Sequence, residues 1–289
     1  GLNFDAGPSG LIPTPGDSLT VTGTGQETVE FLPDEDPRNS GAILIDGASI
    51  AFDGVGTTAV TTVDSVSYVA LDGQSVFASA TQRISQLDNG VESGRLTFSD
   101  VTSLTIDATS NDAPDSADVV LVSLSPVAAG LDELAIRTGS GHDRIDLAFA
   151  DATGIRVDAG AGDDVIIHGD GDGILNGGDG LDQVRQTHEG TQRVSDSLLT
   201  GRGAAQLVSI EQAFLTGSLF DDFIDASQFT GDVTVVAGDG DDQVYGGGGN
   251  DDLHGGEGDD VIRGGAGNDN LSGDSGADRL LGQAGDDVL

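Results

Sequence analysis

Between residues 237 and 289 one apolar side chain returns at every ninth position: Val244, Leu253, Ile262, Leu271, Leu280 and Leu289. Typical settings are Asp252-Leu253-His254, Val261-Ile262-Arg263 and Asn270-Leu271-Ser272. Successive side chains of a strand point to opposite faces, so each triplet predicts a very short strand with its middle residue inward and both flanks outward. One inward residue in nine cannot enclose a core alone. Stacked coils can, because each buries its apolar residue against the next. Over 17–135 the alternation is that of ordinary strands: Thr28-Val29-Glu30-Phe31, Ala42-Ile43-Leu44-Ile45, Ser49-Ile50-Ala51-Phe52, Arg95-Leu96-Thr97-Phe98, Ser103-Leu104-Thr105-Ile106 and Val119-Val120-Leu121-Val122. Gly, Asp and Asn separate these runs, and helical periodicity is scarce. The chain is expected to be all-β.

The residues between the apolar positions are as regular. Residues 237–289 divide into nines without a gap: AGDGDDQVY, GGGGNDDLH, GGEGDDVIR, GGAGNDNLS, GDSGADRLL and a truncated GQAGDDVL. Asp returns at Asp242, Asp251, Asp260, Asp269, Asp278 and Asp287, always two places before the apolar residue. In the unit 255–263, Gly255, Gly256 and Gly258 permit positive φ and therefore a tight turn, which Asp260 ends. A flexible Gly/Asp-rich linker would not hold an apolar residue at a fixed distance from every Asp.

This is the pattern G-G-x-G-x-D-x-U-x, and the stretch resembles the hemolysin-type (RTX) calcium-binding repeat family. The resemblance implies a right-handed parallel β-roll, or β-helix solenoid, with two nonads to a coil. Turns on one edge then come from every second repeat. Asp242, Asp260 and Asp278 would line one edge, and Asp251, Asp269 and Asp287 the other. Carbonyls of the glycine turns, at Gly247, Gly249, Gly256, Gly258, Gly265 and Gly267, would add oxygens. Four full sites are implied: 242/260, 260/278, 251/269 and 269/287. Strands stacked ~4.8 Å apart bring carboxylates together that repel by about 1 kcal/mol in water and roughly 3–4 at an effective dielectric of 20. Calcium reverses that sign, because it takes six to eight oxygens at about 2.3–2.6 Å and favours carboxylates and carbonyls.

A shorter block precedes this one. TGSGHDRID supplies Asp143, and AGAGDDVII, HGDGDGILN and GGDGLDQVR run over 159–185. Asp143, Asp164 and Asp182 are expected to share an edge, with sites 143/164 and 164/182. Gly173 takes the Asp position of the middle nonad, so its edge is expected to bind weakly or not at all. Asp170-Gly171-Asp172 hints at an EF-hand loop, but Leu181 stands where that loop needs Glu. Residues 186–216 lack nonads; Leu198-Leu199-Thr200-Gly201 and 207–217 resemble spacers between RTX arrays. The run 221–231 resembles the segment that leads into an array, which makes Asp222 a further candidate. Leu219-Phe220 stand there in place of the usual glycines. The resulting division is a linker over 1–16, an irregular β-solenoid over 17–135, a first calcium block over 136–185, a spacer over 186–216 and a second block over 217–289.

Charge narrows the partners. Formal net charge is -39, with 50 acidic residues against 11 basic ones, every one of them Arg. Nucleic acid is repelled by such a surface, and cations are attracted. No Cys is present, so disulfides are excluded, and stabilisation by metal outside the cell is the fitting alternative. No run of eighteen apolar residues occurs, so no transmembrane helix is expected. With no initiator Met, and with Leu289 inside a repeat, the chain reads as a segment of something longer.

Other chemistry is weak. Gly16-Asp17-Ser18-Leu19 matches a hydrolase tetrapeptide, but no partner Asp/His motif follows. Asp34-Glu35-Asp36-Pro37 reads as a solvated loop. His142, His168, His188 and His254 are scattered rather than spaced for zinc, and are expected at the surface. No HExxH, G-x-S-x-G or phosphate loop occurs. The expected function is calcium binding that drives folding and rigidity of a secreted bacterial protein, extracellular or at the cell surface, without catalysis. The alternatives keep the fold: a calcium-dependent folding and export module of a secreted protease, lipase or epimerase, or an adhesin spacer.

Overall fold

The structure is a computed structural model that describes residues 103–109, 117–122, 132–150 and 152–289 in full and, elsewhere, only the backbone of strands. Every regular element is a strand, and no helix occurs among the described residues. The chain forms two compact units, 1–161 and 162–289.

In the first unit the strands form two series. One runs Leu2–Asp5, Asp17–Thr22, Val55–Thr61, Val91–Ser99, Arg83–Asp88, Ser75–Ser79, Val119–Ser123, Arg144–Asp146. The other runs Gly154–Ala161, Glu133–Ser140, Ser103–Asp107, Ser65–Val69, Thr28–Pro33, Gly41–Ile45, Ala48–Phe52. Parallel pairs dominate the stacking, as in Leu104↔Leu134 and Ile136↔Val157. Antiparallel hairpins interrupt it, as in Phe31↔Ile43. Leu104, Ile106, Leu134, Ile136, Ile155 and Val157 are buried, each with more exposed neighbours on the strand, which is the alternation expected of a strand with one face in the core. Ser18 lies in the strand Asp17–Thr22. Leu2–Asp5, inside the stretch expected to be a linker, pairs antiparallel with it. Asp34-Glu35-Asp36-Pro37 falls outside the described residues.

The second unit is two parallel sheets that the chain visits in alternation. One sheet stacks Val165–Ile167, Gln183–Thr187, Gln212–Ser218, Asp232–Asp239, Asp252–Glu257 and Asn270–Ser275. The other holds Phe223–Gln228, Gln243–Tyr245, Val261–Ala266 and Arg279–Ala284 at one end. Register fixes eighteen residues to a coil, since Leu253 stacks on Leu271, and Val244 on Ile262 and then Leu280. Val235, Leu253 and Leu271 form one buried column, and Ile224, Val244 and Ile262 the facing one. Flanking residues turn outward and stack in their own ladder: Arg263 lies over the Tyr245 ring at 4.7 Å and Arg193 over Phe223 at 5.3 Å.

The spacer breaks this rhythm in one sheet only. Gln183–Thr187 and Gln212–Ser218 are direct parallel neighbours. In the other sheet the chain folds three times between them: Thr191–Ser195, Leu198–Thr200 and Ala204–Val208 form an antiparallel meander. That meander is set between Gly173–Asp179 and Phe223–Gln228, parallel to each at its borders.

Candidate metal centre

The turns that join the two sheets carry the candidate ligands. In the turn 255–260, Gly256 and Gly258 hold φ of 121° and 136°, a region L side chains rarely adopt. The turn brings Asp260 back beneath its own start, and a Cβ on Gly255 would collide with Asp260 Oδ2. Gly264 and Asp269, Gly273 and Asp278, and Gly282 and Asp287 repeat the arrangement. At these four positions the carboxylate folded under the turn leaves no room for a Cβ.

Stacking links each carboxylate to the preceding coil. Asp242 N donates to Asp260 Oδ1 at 2.8 Å, and Asp260 N to Asp278 Oδ1 at 3.0 Å. On the other edge Asp251 N donates to Asp269 Oδ1 and Asp269 N to Asp287 Oδ1, both at 3.0 Å. In the shorter block Asp164 N donates to Asp182 Oδ1 at 2.9 Å. One oxygen of each carboxylate is thus engaged. The second oxygens of Asp182, Asp242, Asp260 and Asp269 are buried and have no hydrogen-bond partner. Burying a carboxylate oxygen with no donor is costly unless a cation meets it.

The electrostatics agree. Burial pushes Asp242 up to about 7 and Asp251 to about 6, with the neighbouring Asp260 and Asp269 carboxylates adding to the rise. Asp182, Asp260 and Asp269 are raised for the same first reason, burial. Without a counter-charge these carboxylates hold protons more readily than an exposed carboxylate does. A bound divalent cation inverts that preference.

No cluster of three or more His, Cys, Asp or Glu side chains capable of holding a metal gathers among the described residues. A cation here must draw most of its oxygens from the main chain. The Gly264 carbonyl meets Asp251 Oδ2 at the spot a Cβ on Gly246 would fill, and the Gly282 carbonyl meets Asp269 Oδ2 over Gly264. All these donors are hard oxygens, which suits calcium and not a thiolate- or imidazole-seeking metal. Gly264 and Gly282 were not among the glycines singled out from the sequence. Their role depends on which carbonyl the stacked coil brings to the carboxylate.

The individual positions are not equivalent. Asp251 is held by the protein: Gly247 N donates to Oδ2 at 2.6 Å and Val233 N to Oδ1 at 2.9 Å. The turn containing it also departs from the others, since Gly256, Gly258, Gly265 and Gly267 have positive φ and Gly247 and Gly249 do not. The cause is its neighbour, which is no nonad: Gly248 N donates to the Phe229 carbonyl, and a Cβ on Gly247 would strike it. Asp222 is satisfied likewise, Oδ2 by Ser218 N and Oγ at 2.6 and 3.0 Å and Oδ1 by Gly190 N. Leu219 and Phe220 of its turn are exposed. In the first unit Asp143 Oδ1 accepts from Asp118 N at 2.7 Å, and Asp118, a buried carboxylate, had no mark in the sequence.

A second ladder was also invisible in the sequence. Here a side chain at the end of the turn accepts from the N–H of its counterpart one coil on. Asp221 Oδ1 takes Asp241 N, Asp241 Oδ1 takes Asp259 N, and Asp259 Oδ1 takes Ala277 N, at 2.8–2.9 Å. On the other edge Asp232, Asn250 and Asn268 do the same for Asn250, Asn268 and Asp286. The two ladders run in opposite directions along the stack and clamp each turn from both sides.

Where Gly173 replaces the Asp, an arginine supplies the positive charge. Arg202 reaches Asp170 with Nε and Nη2 at 2.8 and 2.7 Å, and Asp172 Oδ1 accepts from Ala204 N at 2.8 Å. The guanidinium holds the Asp170 carboxyl below its usual range. His168 corrects an expectation: it is buried, not at the surface. Gln186 Nε2 donates to its Nδ1 at 2.9 Å and its Nε2 faces the Gly171 carbonyl at 3.0 Å, so a neutral ring is built into the core. Desolvation lowers its pKa.

Comparison with known proteins locates the same turns. The model of the RTX calcium-binding nonapeptide repeat matches residues 230–253 and 254–289. No curated protein matches the chain. Residues 230–289 are RTX calcium-binding nonapeptide repeats, and the ion such repeats bind is calcium.

Proposed function

We propose that this chain is a non-catalytic, calcium-loaded β-roll module of a secreted bacterial protein, and that calcium binding drives its folding and stiffness outside the cell. The observation that carries this reading is the buried, unpartnered Oδ2 of Asp242, Asp260 and Asp269, repeated at the coil interval. Calcium held between adjacent turns by Asp242, Asp260 and Asp278 on one edge, and by Asp251, Asp269 and Asp287 on the other, supplies the missing counter-charge. Asp164 and Asp182 form a similar pair in the shorter block. The coil winds right-handed, as the repeat family implies. Among the described residues no helix is long and apolar enough to cross a membrane.

Metal bound only by the folded state adds its binding free energy to folding, about 2.7 kcal/mol per site at a hundredfold excess over Kd. Extracellular calcium modules commonly bind at about 10⁻⁴–10⁻³ M. The roll would therefore be loose at cytosolic calcium and ordered outside. Far-UV circular dichroism of the full chain in chelator, then in millimolar calcium, tests this. A gain of β signal with calcium and not with magnesium is expected, since magnesium demands a tight octahedron. An unchanged β-rich spectrum in chelator would overturn the reading.

A further inference from the structure

We infer that the spacer holds a calcium site of its own, formed by Asp182, Glu211 and the Ser209 carbonyl, outside the nonad pattern. It rests on the reading above for the identity of the ion, and shares Asp182 with the Asp164 pair. Glu211 performs the task that Asp performs elsewhere: Asp182 N donates to Glu211 Oε2 at 3.0 Å, as Asp164 N donates to Asp182 Oδ1 and Asp242 N to Asp260 Oδ1. The strands that follow the two residues, Gln183–Thr187 and Gln212–Ser218, are parallel neighbours, so the two turns stack like successive nonad turns.

Asp182 is fully buried, and its Oδ2 has no hydrogen-bond partner. That oxygen lies on the side of the turn where the Ser209 carbonyl also points. Asp182 Oδ2 and the Ser209 carbonyl converge on the place a Cβ on Gly177 would fill, as Asp269 Oδ2 and the Gly282 carbonyl converge over Gly264. Ser209 holds φ 48°, in the left-handed region, as Asp274 and Gln283 do in turns of the second block. Glu211 and Asp163 add negative charge around Asp182. Twenty-nine residues separate the two carboxylates instead of eighteen, because the meander is inserted between them. The extra methylene of Glu lets the carboxylate reach back to Asp182 from a turn that is not built on glycines. Two carboxylates and a carbonyl in an irregular turn suit calcium, which tolerates variable geometry, better than magnesium.

The test is the number of calcium ions bound by the full chain, counted by equilibrium dialysis with radioactive calcium. Glu211→Gln is expected to bind one ion fewer than the unmodified chain and to leave the remaining ions in place. An unchanged count in a variant with a native circular dichroism spectrum overturns the inference. Should Glu211→Gln lose the fold, crystals of the unmodified chain loaded with terbium decide by anomalous scattering. A peak beside Asp182 Oδ2, on the Glu211 side, supports the site. Peaks in the 242–287 turns with none between Asp182 and Glu211 overturn this inference alone, whereas no peak in either place overturns the proposed function as well.

Discussion

Asp260 and Asp269 are the residues on which the second block turns. Each accepts from the coil before it through Oδ1, donates its N–H to the coil after it, and has a buried Oδ2 without a hydrogen-bond partner. Asp251 is already satisfied by two main-chain donors. Asp260→Asn and Asp269→Asn should each weaken calcium binding at least about tenfold, or about 1.4 kcal/mol, and Asp251→Asn less, as read by calorimetric titration. Equal losses for Asp251→Asn and Asp269→Asn would argue against shared sites. A second expectation concerns protons. Asp242 and Asp251 are raised by burial to about 7 and about 6 in the metal-free fold, above their unfolded value. The metal-free fold therefore binds more protons than the unfolded chain, and loses stability as pH rises from about 4 towards 7. Calcium needs the ionised carboxylates, so its binding should release protons and tighten from pH 5 to pH 7.5. Titrations at pH 6.5 in two buffers of different ionisation enthalpy measure the release, and identical heats would count against it.

At the scale of one turn and its strand, the nonad is a mutual fit between glycine and carboxylate. A Cβ on Gly264 would run into the Asp269 carboxylate, while one on Gly248 would meet only ordinary contacts at 3.4 Å or more. Gly264→Ala should cost about 1–3 kcal/mol through overpacking. Gly248→Ala should be close to neutral, since it only reduces the freedom of the unfolded chain. Denaturant unfolding in saturating calcium compares the two, and equal effects would show that glycine serves the turn by flexibility alone. The coil at Gly173 uses a different element. Its turn is closed by the bidentate Arg202–Asp170 pair and by Asp172 accepting from Ala204 N, so it holds a fixed positive charge beside its carboxylates.

Across the second unit these differences predict an order of assembly. The meander coil carries its own guanidinium and buries Leu199, Ala205 and Leu207. The coils of 237–289 bury Val244, Leu253, Ile262 and Leu271 at one per nine residues, leave Leu289 exposed, and stack carboxylates. Hydrogen exchange of the full chain in chelator should therefore leave measurable protection in 198–208 and almost none in 242–287. Calcium should then raise protection in 242–287 by at least about a hundredfold, the linkage expected for a site well above its Kd. Uniform protection in chelator would refute that order.

Much of this was legible in the residues themselves. The interval from Asp260 to Ile262 dictates a turn followed by an inward residue, and the burial of Val244, Leu253, Ile262 and Leu271 follows that interval. The coil of two nonads was implied by the resemblance to the RTX repeat family, and the stacking of Leu253 on Leu271 agrees with it. What the sequence could not settle depends on which coil lies next. Gly247 and Gly249 read like every other nonad glycine, yet Phe229 stacks beside their turn and changes its backbone. His168 reads as a surface residue and becomes buried because Gln186, eighteen positions on, is folded against it. Glu211 and Ser209 lie outside any repeat, and only the detour of the meander brings them to Asp182. Local periodicity is written in nine residues, so the chain states it directly. Partners across coils are chosen by register, and register is settled only when the sheets close.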